Sequence, residues 1–226
     1  MKPQIITHSW NLSEEQALQL QHELATQVIT EDCLGEVKNI AGVDVAYDKT
    51  SDKIIAAVVV IDAKTLEIIE QSTAENTAQF PYIPSLFSFR ELPAVIEALK
   101  NLQITPDLIV CDGQGLAHPR RFGLACHLGV LFDIPTIGCG KTRLMGEYCE
   151  PEKNRGAMTP LIDNHEIIGC TLRTQDSIKP VYVSIGNRVS LATACAWILK
   201  LSTKYRLPET TRAADHLVRQ KLTIKG

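Results

Sequence analysis

Two aspartates stand in apolar runs that would otherwise read as core strands. Asp44 lies within Ile40-Ala-Gly-Val-Asp-Val-Ala-Tyr47, and Asp112 ends Leu108-Ile-Val-Cys-Asp112 just before Gly113-Gln-Gly115. A lone carboxylate is costly to bury unless a cation neutralises it. Two of them in one chain point to a shared divalent cation, the arrangement on which metal-dependent phosphodiester hydrolysis is built. In a strand, Val43 and Val45 face away from Asp44, which shares its face with Gly42; glycine there is expected to leave room for a ligand. Asp-Gly is also a common turn pair. After Asp112, however, the chain passes through His118-Pro119 into a helical pattern rather than a returning strand. Asp112 is therefore expected at the carboxyl end of a parallel strand, where open α/β sheets bind ligands.

Other chemically capable residues each have a structural alternative. Glu91 closes Ser88-Phe-Arg-Glu91, which matches a helix capping box; Pro93 argues instead for a helix that starts near Glu91, with proline in its first turn. Gly138-Cys-Gly-Lys141-Thr142 misses phosphate-loop spacing, since the first glycine would fall at Pro135. Gly113-Gln-Gly115 misses the dinucleotide fingerprint, with His118 where glycine is needed. Lys141 remains a cation just beyond a strand end, or a plain surface lysine. His216, beside Asp215, has the composition of a structural or surface histidine on a terminal helix. Pro81-Tyr-Ile-Pro84 is a stiff turn that either holds Tyr82 outward as a wedge for base stacks or folds onto the core.

The elements that must position these groups follow from periodicity. Ser13-Glu-Glu-Gln16 is a capping box opening a helix over 11–29, with Leu20, Leu24 and Val28 at i+4 spacing. Strands are expected over 40–47, 54–62 and 66–73, joined by short polar connections at 48–52 and 63–65 as antiparallel hairpins. A helix over 92–102 follows. Short apolar runs at 108–111 and 134–138 flank a helix over 121–132, a βαβ signature. A further strand pair is expected over 167–174 and 180–185, with closing helices over 191–201 and 210–222. Together these give an α/β fold, a mixed five-stranded sheet with helices on both faces, in one domain spanning 1–226.

The 226-residue composition is that of a soluble globular chain, 45% hydrophobic and 22% charged. The longest uncharged apolar run, Ile54 to Ile61, is too short to span a bilayer, so no membrane partner is expected. No charged segment leads into an apolar core and cleavage site, so a cytoplasmic location is expected. Seven cysteines stand singly with no Cys-x-x-Cys pair, which reads as reduced thiols, mostly buried. A net charge of −3 weighs against strong non-specific duplex binding. Any nucleic-acid affinity must come from a local field, for which Arg90, Arg120, Arg121, Lys141 and Arg143 lie beside the acidic motifs.

Taken together, these segments resemble the endonuclease V family of deoxyinosine 3′-endonucleases. The resemblance rests on Gly42-Val-Asp44-Val-Ala-Tyr47, Pro81-Tyr-Ile-Pro84, Ser88-Phe-Arg-Glu91, Asp112-Gly-Gln-Gly-Leu-Ala-His-Pro-Arg120, Lys141-Thr-Arg-Leu144 and Ala214-Asp-His216, in the family's order over about 12–220. It implies a ribonuclease H-like fold, Mg²⁺ as cofactor with Mn²⁺ as a substitute, and hydrolysis of the second phosphodiester bond 3′ to inosine. It further implies that Asp44, Asp112 and Glu91 hold the metal, that Lys141 and His216 assist catalysis, and that Pro81, Tyr82 and Ile83 form a strand-separating wedge. His216 would position water or hold a second ion, and both roles stay open. DNA containing deoxyinosine is the implied partner, with RNA as an alternative, and a monomer is expected. Gly113 and Gly115 would bring backbone groups near a base extruded from the stack. The chain departs from the family pattern at Ser85, where glycine follows the Pro-Tyr-Ile-Pro turn.

Two other functions use the same residues. A junction resolvase or inosine-RNA nuclease would share the carboxylates. A non-enzymatic single-strand-binding module would use Tyr82 and the basic residues, and its binding would survive loss of Asp44.

Overall fold

The run Ile54–Ile61 is buried at every position because both faces of its strand are covered. The computed structural model describes residues 3–48 and 51–223. In it, β1 (Asn39–Tyr47), β2 (Lys53–Asp62) and β3 (Ile68–Thr77) are antiparallel neighbours, and β4 (Leu108–Cys111) and β5 (Thr136–Gly140) join parallel to β1. Lys49 and Thr50, in the expected first hairpin turn, lie outside the described residues; the flanking register is Tyr47 opposite Ile54. β6 (Met158–Asp163), β7 (Glu166–Leu172) and β8 (Val181–Asn187) continue the sheet through β8 against β5. The strand order is β3-β2-β1-β4-β5-β8-β7-β6.

The mixed sheet therefore has eight strands rather than five. Its first five follow the expected arrangement. The expected later pair extends the same sheet, and β6 is an addition that periodicity did not reveal. Pro160 in Met158-Thr-Pro-Leu-Ile-Asp163 reads as a strand breaker, yet β6 is an edge strand, the position where a missing N–H is tolerated.

Helices cover both faces. On one side α2 (Phe87–Lys100) and α3 (Leu124–Phe132) bury Leu92, Val95, Leu99, Leu128 and Phe132 against Val43, Val58 and Ile109. On the other, α4 (Leu191–Leu201) and α5 (Glu209–Thr223) bury Ile198, Ala214 and Val218 against Val59, Val110 and Ile137. α1 (Glu14–Ala25) packs Leu24 beside Cys126 and Val130 of α3. Its capping box forms as expected, with Ser13 Oγ accepting from the Gln16 N–H at 3.2 Å and Gln16 Oε1 from the Ser13 N–H at 2.8 Å. All seven cysteines are free, and five are buried.

α2 corrects two expectations. It begins at Phe87 and has no side-chain cap, so Ser88 and Glu91 form no capping box. Pro93 lies inside the helix and has no N–H to return to the Phe89 carbonyl. Tertiary burial outweighs that loss: Leu86 and Phe89 pack with Ala17 and Phe80, which draws the helix start four residues ahead of Glu91.

Gly42 corrects a third. A Cβ there would lie 2.2 Å from the Thr210 carbonyl carbon, so the space beside Asp44 is filled by the start of α5 rather than a ligand. Among the described residues, no helix is long and apolar enough to cross a membrane.

Candidate functional site

The parallel register Val43 opposite Cys111 places Asp44 and Asp112 side by side on adjacent strands, and the Asp112 N–H donates to the Val43 carbonyl at 3.2 Å. β1, β4 and β5 share one direction, so Lys141, one residue beyond β5, arrives at the same end. Its Nζ is ion-paired with Asp112 Oδ2 and lies 3.5 Å from Asp215 Oδ1 of α5. Glu91 comes from α2, across the opposite face, and accepts a hydrogen bond from Tyr47 Oη at 2.8 Å. Glu91, Asp112, Gly113 and Lys141 line a cavity of about 340 Å³, together with Ser85, Phe87, Ser88, Gln114, His118, Phe122, Thr142 and Arg143.

Repulsion and burial set the electrostatics. Burial, and then the charge of Asp112, push the Asp44 carboxyl up to about 8. Burial pushes Glu91 up to about 7; the Tyr47 hydrogen bond opposes this and Asp112 adds to it. Burial works against the Lys141 charge, but Asp112, Asp44 and Asp215 outweigh it and hold the ammonium above its ordinary range. Three carboxylates act on the one ammonium, and Arg219 pairs with Asp215 at 2.8 Å, so Asp44, Asp112 and the nearby Glu91 carry more negative charge than Lys141 offsets, which a hard, oxygen-preferring divalent cation would neutralise. Asp44, Asp112 and Glu91 therefore fit such an ion in donor type and charge. Among the described residues, no three His, Cys, Asp or Glu side chains already converge around an ion position.

These shifts make the metal-free fold sensitive to pH. Folded-state values above the ordinary carboxylate range mean that the native protein keeps protons the unfolded chain releases from about pH 4. The stability that Asp44 and Glu91 contribute is thus full at low pH and is lost as pH rises through about 7 and 8. Melting without divalent ions is expected to drop by roughly 5 °C between about pH 5 and about pH 9. Asp44→Asn should flatten that slope and raise the melting temperature at the alkaline end. An equally steep profile in the variant would show that Asp44 is not the group involved.

The other expected site residues separate into two groups. Tyr82 is 69% exposed with its ring 4.8 Å from that of Phe87, so the turn presents it outward. Pro81 is exposed and Ile83 half-buried beside Phe80 and Phe89. Arg143 donates to the Gly146 carbonyl at 2.9 Å and lies over the Tyr148 ring at the cavity's edge. Arg120 and Arg121 turn inward instead. Arg121 pairs with Asp163 and Glu166 of the β6–β7 hairpin, both at 2.8 Å, which neutralises its charge locally. Arg120 donates to the Ser85 carbonyl at 2.9 Å and to Ser85 Oγ at 2.7 Å, and also reaches Gln21 Oε1. Arg90 is fixed too, donating to the Phe80 carbonyl at 2.6 Å beneath the Tyr47 ring.

Ser85 has φ +65°, the left-handed region in which glycine carries no penalty. Here the serine is held by its partners: its carbonyl also accepts from His118 Nε2 at 2.9 Å and Gln21 Nε2 at 3.2 Å. His118 is buried and, mainly by that burial, its pKa is pushed down to about 4, so the ring donating to Ser85 is neutral. Gly115 packs elsewhere; a Cβ there would lie 1.9 Å from the Ile185 carbonyl oxygen, so it seats the loop on β8 and not beside a base.

His216 is exposed, with its Nε2 hydrogen-bonded to Gln220 one turn on at 2.8 Å. Its neighbour Asp215 faces Lys141 instead, since adjacent helical residues point about 100° apart. Asp215 beside Lys141, Tyr47 on Glu91 and Ser88 in the cavity wall are the residues to which sequence reading gave no role in the site. An acid at position 215 carries no local mark, and Tyr47 was visible only as a strand end.

The chain is similar to known proteins over nearly its whole length. The family model for Endonuclease V matches residues 22–216. An endonuclease V from Roseiflexus castenholzii is 50% identical over 220 residues, covering 97% of this chain and 98% of the relative. The crystal structure of endonuclease V from Streptomyces avermitilis superposes with a TM-score of 0.93 at 48% identity, covering 97% of each chain. That of endonuclease V from Ciona intestinalis, in complex with a 24-mer DNA containing an inosine followed by a ribo-adenosine, superposes at 0.83 with 27% identity, covering 94% of this chain and all of the other.

Proposed function

The chain belongs to the endonuclease V family, and from that premise we propose that it recognises deoxyinosine in DNA and hydrolyses the second phosphodiester bond on the 3′ side, for repair of deaminated adenine. Asp44 and Asp112, side by side at one end of parallel β1 and β4, with Asp112 and Glu91 lining a cavity, carry this reading. The Ciona relative, whose structure holds an inosine-containing strand, supports the choice of substrate.

Asp44, Asp112 and Glu91 would hold the divalent ion, Mg²⁺ with Mn²⁺ as a substitute, in the deprotonated form that oxygen ligation requires. Such an ion, when bound, polarises the scissile phosphate and lowers the pKa of water for in-line attack. Tyr47 orients Glu91 through its hydroxyl. Lys141 offsets charge that develops on the phosphoryl oxygens. The outward Tyr82, backed by Phe87, enters the stack while the target base leaves it. The extruded base occupies the cavity between Phe87, Ser88, Gly113 and Phe122. The products are a 3′-hydroxyl and a 5′-phosphate.

Cleavage of inosine strands with Mg²⁺ tests this, using single- and double-stranded DNA, RNA, and a DNA strand with a ribo-adenosine after the inosine. Cutting is expected one nucleotide beyond the inosine's 3′ neighbouring bond, and adenine controls should survive. Indifference to inosine, or preference for junctions or hybrids, would make this another ribonuclease H-like nuclease. Salt dependence tests the phosphate contacts. Arg143→Ala is expected to reduce the slope of log affinity against log salt by about one unit. Arg121→Ala should change it by less than about half a unit, because Asp163 and Glu166 already neutralise that guanidinium. Equal effects in Ca²⁺ binding titrations would make Arg121 a phosphate contact after all.

A further inference from the structure

A chain of hydrogen bonds runs from outside the cavity to its wall. His8 Nδ1 lies 2.8 Å from the Ser9 carbonyl oxygen, and His8 Nε2 lies 2.9 Å from His127 Nε2. His127 Nδ1, on α3, lies 3.0 Å from Ser88 Oγ in the first turn of α2. His127 is wholly buried and Ser88 4% exposed. The His8 ring stacks on that of His127 at 5.1 Å and lies beside Trp10 at 4.3 Å, so both imidazoles are fixed in place.

The direction of every bond in this chain is determined by its first member. A carbonyl oxygen only accepts, so His8 Nδ1 carries the proton. In a neutral ring Nε2 is then a lone pair, and His127 must donate to it through Nε2–H. That leaves His127 Nδ1 as a lone pair, and Ser88 must direct its hydroxyl proton at it. Burial lowers the pKa of both histidines, which keeps the rings neutral. Ser88 thus has no proton left to offer the cavity it lines, only lone pairs.

We propose that the His8–His127 pair locks Ser88 as a hydrogen-bond acceptor facing the base pocket, so that Ser88 selects purines bearing a proton on N1. This rests on the reading above, in which the extruded base enters that cavity, and deepens it by naming what reads the base. Hypoxanthine presents N1–H, a donor that Ser88 accepts. Adenine presents a bare N1, and two lone pairs then face each other with no proton between them. A freely rotating hydroxyl would serve both bases; the relay removes that freedom. A site built around a fixed hydrogen-bond sense rejects the analogue that cannot supply its half. Ser88 and Glu91 are three residues apart on one helix face, so the selecting group and a proposed metal ligand move as a unit.

Two measurements test the relay. Histidine ¹⁵N NMR of the whole protein should show His8 protonated on Nδ1 and His127 on Nε2. Equilibrium binding in Ca²⁺ should then compare single strands that differ only in inosine or adenine at one position. His8→Phe keeps an aromatic ring against Trp10 and His127 but frees His127 to carry its proton on Nδ1, which turns Ser88 into a donor. The preference for inosine is expected to fall about tenfold or more, and Ser88→Ala should lose a similar factor. If the wild-type tautomers are reversed, or if His8→Phe keeps the wild-type preference, the relay is overturned while the endonuclease reading stands. A wild-type protein that shows no preference for inosine overturns both.

Discussion

Asp44→Asn and Asp112→Asn should each reduce divalent-dependent cleavage of inosine strands by at least about a thousandfold, the scale on which loss of a central catalytic group is felt. Each substitution keeps the size of the side chain and removes a charge from a site whose chemistry needs that charge. The two variants should differ in other respects. Asp44 is destabilised as an anion by burial and by Asp112, so Asp44→Asn should leave the metal-free protein as stable as wild type at low pH and more stable at alkaline pH. Asp112→Asn removes the partner of Lys141, whose ammonium retains Asp215 at 3.5 Å. Both proteins should still bind inosine strands in Ca²⁺ within about tenfold of wild type if the base cavity carries recognition. Normal turnover in either purified variant would remove the carboxylate pair from the mechanism.

Lys141→Ala should lower the single-turnover rate by roughly a hundred- to a thousandfold, the usual effect of removing one preorganised donor at a developing charge. A second consequence can be read in the same experiment. The Lys141 charge holds the Asp44 carboxyl below where burial alone would put it. Without that charge Asp44 loses its proton only at higher pH, so the acid limb of the pH–rate profile should move to the alkaline side. Arg206 donates to the Lys141 carbonyl at 2.6 Å, which keeps the backbone in place whatever the side chain. A variant that bound more weakly but cut at the normal rate, with an unmoved profile, would make Lys141 a positioning residue instead.

The groups involved were legible in the chain to different degrees, and the reason is range. Asp44 and Asp112 could be recognised because each breaks a local apolar pattern, and a strand's period of two shows which face it takes. The βαβ signature joins β4 to β5 and so brings Asp112 and Lys141 to one end, since parallel neighbours bring their carboxyl ends together; only the fold shows that β1 lies beside β4 and makes Asp44 the neighbour of Asp112. Glu91 was ambiguous because its local pattern fits a capping box equally well. Only the fold shows that Ser88 reaches His127 and Glu91 reaches Tyr47. The basic residues were misjudged for a related reason: a charge in a sequence has no partner, whereas Arg121 in the fold has two.

By itself, then, the sequence determined the features whose causes are local or periodic. These are the α1 capping box, the core strands β1 to β5, the helices that cover them, the two strand-borne acids and the stiffness of the Pro81–Pro84 turn, whose outward placement of Tyr82 the fold decided. The tertiary structure alone decided whatever depends on contacts between distant residues. It set the start of α2 through burial of Leu86 and Phe89, and extended the sheet to β6, an edge strand that tolerates Pro160. It closed the Gly42 face with α5 and turned Asp215 rather than His216 toward Lys141. It also joined His8 to His127, 119 residues apart, in a hydrogen bond that no local pattern encodes. Burial and packing free energy accumulate over the whole chain, and they override local propensity wherever the two disagree.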